Sequence, residues 1–186
     1  MTRRDDLAEN FLTLLRPIRR EPEVYCRRLA WNEADAPDAL QNAVVNAFKA
    51  FDRYKEETHF RAWMFKILTH EVFKLNRKHR QLAQLEYQIE PEELDALPAV
   101  ASGSGGRAWL DAPDALADAL DEKLVAALKM LTEVERAVLL MRAIGGFRYQ
   151  EIAEGLAVPM RSVIGNLSRA RRKMRNAILL VERRPV

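Results

Sequence analysis

The sequence of 186 residues holds a single cysteine, Cys26, and only seven glycines. One thiol excludes an internal disulfide. No apolar run reaches the roughly 20 residues a membrane-spanning helix needs, and the opening MTRRDDLAENFL lacks the apolar core of a secretory signal. These absences point to a soluble protein of a reducing cytoplasm, without membrane insertion. Sustained apolar and polar alternation is missing too, which excludes a sheet as the organising element. His59, His70 and His79 lack metal-ligand spacing, and no nucleophile motif surrounds Cys26. No catalytic site, metal or cofactor is expected.

What is present is helical pattern and segregated charge. With 48% apolar residues the chain can bury one modest core or two small ones. Lys+Arg 30 against Asp+Glu 27 gives a net charge of only +3, but the distribution is uneven. From Arg161 to Arg184 almost every charge is positive, whereas from Glu86 to Glu122 the acids follow one another with Arg107 as the only cation. Separate surfaces with separate partners are implied.

Apolar residues recur at helical spacing in Leu40, Val44, Phe48 and Phe51, and again in Phe60, Trp63, Met64, Ile67, Leu68, Val72 and Leu75. Earlier helices are predicted through AENFLTLL and PEVYCRRLAW, with Pro17, Pro22 and Pro37 at breaks or first turns. LPAVASGSGGRAWLDAP then reads as a flexible linker. Helical pattern resumes at Asp114, and Thr132 with Glu135 forms a capping box ahead of a helix that stops at Gly145 and Gly146. The expectation is an all-α chain: a first unit over 1–85, a flexible acidic linker over 86–113 and a second unit over 114–186.

YQEIAEGLAVPMRSVIGNLSRARRKMR has the form of a helix-turn-helix. Ala153 is small where the second helix must cross, Ala157 is compact in the turn, and Val163 is a branched anchor. An ordinary helical hairpin satisfies the same spacing. Arg169, Arg171, Arg172, Lys173 and Arg175 cluster on the second helix without acids between them, the footprint of a nucleic-acid binder, and favour DNA.

These residues resemble the extracytoplasmic-function sigma factors, a minimal group of the sigma-70 family of bacterial RNA polymerase. LTEVERAVLLMRAIGGFRYQEIAEGLAVPMRSVIGNLSRARRKMR is similar to sigma domain 4, which usually carries LGVP at the turn. DAPDALQNAVVNAFKAFDRYKEETHFRAWMFKILTHEVFKLNRKHR is similar to sigma domain 2. The resemblance implies two tethered helical bundles that bind core RNA polymerase, recognise a −35 element of promoter DNA with domain 4 and melt a −10 element with domain 2. It admits an anti-sigma factor as a further partner. A sigma mimic that binds such a regulator without initiating transcription is the alternative.

The resemblance also implies residue roles. Asp38, Gln41 and Asn42 are candidates for the polymerase contact. Asp52 to His59, with Tyr54, Lys55 and His59, corresponds to the loop that captures a flipped base, and His70 lines the same pocket. Flipped bases need a stacking face and a polar edge-reader, and Tyr54 and His70 offer those two functions. Phe48, Phe51 and Trp63 are expected in the core. Lys66, Lys74, Arg77, Lys78 and Arg80 would hold the separated strand without specifying its sequence. In the second unit the family's usual KSR falls on Ile164, Gly165 and Asn166. Arg161, Ser162, Asn166 and Arg169 remain to face the −35 element, with Arg171, Arg172 and Lys173 on phosphates. This helix is expected to hold DNA and to read it differently from typical relatives, or poorly.

Overall fold

A computed structural model describes residues 3–54, 59–87 and 122–182, which form eight α-helices and no strand. In chain order these are α1 (Arg3–Leu15), α2 (Arg20–Leu29), α3 (Ala36–Ala50), α4 (Phe60–Tyr87), α5 (Glu122–Lys129), α6 (Glu133–Ala143), α7 (Tyr149–Leu156) and α8 (Met160–Glu182). The linker glycines and the stripe begun by Leu116 and Leu120 lie outside the described residues. None of these helices is long and apolar enough to cross a membrane.

The prolines act as anticipated. Pro17 sits in a 3₁₀ turn over Arg16–Ile18, and Pro22 and Pro37 occupy the first turns of α2 and α3, where a missing N–H costs nothing. Helix α2 stops before the predicted Trp31. Ala30 turns extended at ψ 141°, and the Trp31 N–H donates to Asn76 Oδ1 on α4 at 2.8 Å, so a side chain replaces the next helical carbonyl.

The face of α3 differs from the one its large residues suggest. Ala39, Ala43 and Ala47 are wholly buried, while Leu40, Val44 and Phe48 are half-buried flanks. A row of methyl groups at i, i+4, i+8 lets α3 lie close against α2 and α4. Behind it, the Tyr25 ring meets Phe65 at 4.9 Å with the planes tilted by 56°, and its hydroxyl shares a 2.7 Å hydrogen bond with Thr69. Thr69 donates to the Phe65 carbonyl, so the Tyr25 hydroxyl is the donor to Thr69. Burial pushes the Tyr25 phenol well above its ordinary range.

In the second unit the capping box forms as read. Thr132 Oγ1 accepts from the Glu135 N–H at 3.3 Å, and Glu135 Oε2 accepts from the Thr132 N–H at 3.0 Å. The turn between α7 and α8 rests on Ala157 at φ 54°, in the left-handed region, with the Val158 N–H reaching back to the Ala153 carbonyl at 3.0 Å. Val163, Leu167, Ala170 and Met174 form the buried face of α8.

The two units abut. Arg136, buried on α6, donates from Nε to the Leu128 carbonyl at 2.9 Å and from Nη1 to the Leu29 carbonyl at 3.5 Å. It thereby joins the C-terminal ends of α5 and α2, where helix dipoles favour a cation. Asn76 Nδ2 donates to Glu133 at 2.8 Å. Arg61 donates to Glu21 at 2.6 Å and to the Ile144 carbonyl at 3.3 Å, and lies over the Phe147 ring, itself edge-on to Phe65 at 5.0 Å.

Candidate nucleic-acid interface

Helix α8 carries the candidate DNA face on the side opposite its apolar row. Met160, Arg161, Ile164, Ser168, Arg169 and Arg172 are exposed, whereas Ser162, Gly165, Asn166, Arg171 and Lys173 are partly covered. The exposed set recurs every three to four residues, as one stripe of a helix must.

The basic row is not free of acids in three dimensions. Glu135, on α6, places its almost fully buried carboxylate under α8 and accepts from Lys173 Nζ at 2.8 Å, with Arg169 Nε at 3.4 Å from its other oxygen. Burial would raise this carboxyl, but Lys173 and the Thr132 hydrogen bonds outweigh it and hold the group below the usual carboxylate range. Glu135 is thus both a helix cap and the counter-ion of two cations assigned to DNA.

Asn166 is also engaged. Its Nδ2 donates to the Ser162 carbonyl at 2.8 Å and its Oδ1 accepts from Arg169 Nη2 at 2.9 Å. The Arg169 guanidinium folds back along Gly165, where a Cβ would meet Nη1 at 3.4 Å. Glycine at this helical position therefore leaves Arg169 ordinary contact room without being required for it.

In the first unit, Tyr54 stacks on Phe51 at 5.6 Å with the rings 9° apart and meets Trp63 at 5.1 Å and Phe60 at 5.7 Å. Phe11 closes the cluster against Phe48, Phe51 and Phe60. Trp63 and Phe48 are half-buried against the core and Phe51 is buried. His59 and His70 are exposed, and Lys55 lies outside the described residues. Lys66, Arg77 and Lys78 are exposed on α4, Lys74 approaches Glu71 at 3.9 Å, and Arg80 meets Glu133 at 3.3 Å while covering the Trp31 ring. One of the five expected strand-holding cations is therefore spent on the seam between units. Asp38, Gln41 and Asn42 are exposed together on α3.

Cys26 is buried, and burial pushes its thiol up to about 12, so it is no nucleophile at neutral pH. Among the described residues no cluster of His, Cys, Asp or Glu has the form of a metal site. Reading the sequence missed Glu135 as a partner of α8 and Arg136 as a link between units. The capping box was the available signal for the first, since it fixes the Glu135 carboxylate beside the start of α6.

Comparison with known proteins accounts for both units. The Sigma-70 region 2 profile matches residues 18–81, and the Sigma-70, region 4 profile matches residues 121–174. The chain belongs to the sigma-70 family, in its extracytoplasmic-function group. The ECF RNA polymerase sigma factor SigG of Mycobacterium tuberculosis is 27% identical over 189 residues, which cover 91% of this chain and 49% of that protein. The ECF RNA polymerase sigma-E factor of Escherichia coli strain K12 is 26% identical over 153 residues, covering 81% of this chain and 77% of the relative. The chain thus spans about half the length of SigG. Among solved structures, the sigma factor RpoE in complex with the anti-sigma factor NepR from Bartonella quintana shares the fold at a TM-score of 0.67 and 20% identity, covering 93% of this chain and 96% of that one. CnrH in complex with the cytosolic domain of CnrY does so at 0.62 and 23%, covering 95% and 91%. The sigma-70 helix-turn-helix of this chain is α7–α8, and its region 2 core is α2–α4.

Proposed function

We propose that this chain is an alternative sigma factor that binds bacterial core RNA polymerase and directs promoter-specific initiation. The second unit recognises a −35 element through α8, and the first melts a −10 element. The observation that carries the reading is the occurrence, in one chain and in family order, of a region 2 bundle and a helix-turn-helix whose second helix presents a cationic outer stripe. Asp38, Gln41 and Asn42 offer the polymerase a polar helix face. Tyr54 and His70 serve base capture, and Lys66, Lys74, Arg77 and Lys78 serve the separated strand, while Arg80 is engaged with Glu133 at the seam. No step requires a cofactor or a catalytic group of the chain's own, and the work belongs to the cytoplasm. The expected linker of 86–113 begins within the last two residues of α4, and the acidic segment that follows Tyr87 acts as a tether between the units.

A second reading, a sigma mimic that engages an anti-sigma factor without initiating, draws on two observations. Exposed Ile164 stands where relatives carry a cation, and Asn166 and Arg169 bond to each other. One solved protein of this fold, RpoE from Bartonella quintana, is in complex with an anti-sigma factor. Run-off transcription with purified core polymerase separates the readings: promoter-specific transcripts establish initiation, and core binding without transcripts establishes mimicry.

A further inference from the structure

The outer stripe of α8 is not uniformly polar. Met160 and Ile164 are 53% and 49% exposed, one turn apart, with Arg161 beside them and Ser168 and Arg172 continuing the same face. In a helix-turn-helix the first turns of the second helix meet base edges in the major groove. Two hydrogen-bonding residues of that segment are engaged within the protein: both ends of the Asn166 amide are occupied within α8, and Arg169 lies back along Gly165 toward Glu135. What remains pointing outward at the reading end is two apolar side chains flanked by cations. In the major groove the one apolar feature of a base edge is the C5-methyl group of thymine.

We propose that α8 selects its upstream element by seating thymine methyl groups against Ile164 and Met160, with Arg161 and Arg172 holding the bordering phosphates. The inference rests on the sigma-factor reading and names the base chemistry of its second unit. The charges fit this occupant, because a cation stands beside the apolar pair and another farther along the stripe, as a duplex groove bordered by phosphates requires. A groove-reading helix built this way discriminates T·A from C·G by shape and methyl contact rather than by a two-pronged hydrogen bond.

The test uses the full chain assembled with core polymerase. Duplexes with a randomised upstream segment are selected on this complex, and the enriched duplex is resynthesised with each thymine replaced in turn by deoxyuridine, which removes one methyl group and leaves every hydrogen-bonding edge intact. Loss of one well-buried methyl weakens binding about fourfold. The expected result is such a loss at one or two adjacent thymines for the parent, absent at those thymines in Ile164→Ala. Ile164 is exposed, so that variant keeps the fold; Ile164→Val should retain part of the effect. A flat deoxyuridine scan on a duplex still preferred over scrambled DNA overturns the methyl contact and leaves the sigma-factor reading intact. Failure to enrich any upstream sequence overturns both.

Discussion

Glu135 and Lys173, 38 residues apart in sequence, meet at 2.8 Å with the carboxylate almost wholly removed from water. The pair fastens α8 to α6, the helix that Glu135 itself caps. Glu135→Gln should lower stability by about 1–3 kcal/mol at neutral pH, because it weakens hydrogen bonds made to a charged acceptor. Guanidinium unfolding of parent and variant measures this, and equal midpoints would show the pair to be idle.

The same carboxyl makes stability depend on acid. Its folded value lies below the usual 4.5, so the contribution is whole above that value and is lost as pH falls through the folded one. Unfolding free energy of the parent should decline below pH 4.5 more steeply than that of Glu135→Gln. Parallel curves would assign the acid sensitivity to other carboxylates.

Cations on α8 should divide by engagement. Arg172 is exposed, so Arg172→Ala should reduce the salt slope of duplex binding by about 0.9. Lys173 is held by Glu135, and Lys173→Ala should reduce the slope less while lowering stability more. Equal slopes would mean that Lys173 leaves Glu135 when DNA binds.

Backbone chemistry around the turn is open to improvement at two places. Ala157 adopts φ 54° where relatives usually carry glycine, and Gly165 occupies a helix interior. Ala157→Gly relieves left-handed strain of about 1 kcal/mol. Gly165→Ala gains about 1 kcal/mol of helix propensity, since its Cβ makes only ordinary contact with Arg169. Thermal unfolding should rise by several degrees for each. A fall for Ala157→Gly would show that unfolded-chain entropy outweighs the strain.

Tyr54 and His70 should separate by stability. Tyr54 belongs to an aromatic cluster, so Tyr54→Ala should cost about 1.5–3 kcal/mol and also reduce opening of the downstream element. His70 is exposed, so His70→Ala should keep parental stability and reduce opening alone. Permanganate reactivity of the downstream thymines reports opening. Parental reactivity in both variants would remove these side chains from base capture.

Local signals were legible in the sequence wherever neighbours along the chain determine the outcome. The capping box at Thr132, the prolines at helix starts and the compact turn at Ala157 all follow from residues within a few positions of one another. Non-local pairing was hidden. Nothing near Arg169 or Lys173 announces Glu135, and nothing near Leu29 announces Arg136, because the fold brings those partners across 34 or more residues. The face of α3 was misjudged for a related reason. Large apolar residues signal that a helix is buried, but where three helices approach closely the smallest residues go deepest, and size alone ranks them last.

That alanine row sets how this part of the chain is able to diverge. Ala39, Ala43 and Ala47 have no exposed surface, and any larger side chain would wedge α3 away from its neighbours, typically costing about 1–3 kcal/mol. Drift is thereby confined to the outer side of α3, where Asp38, Gln41, Asn42 and Val45 lie exposed. Copies of such a chain that diverge would keep the inner spacer and vary the outer face.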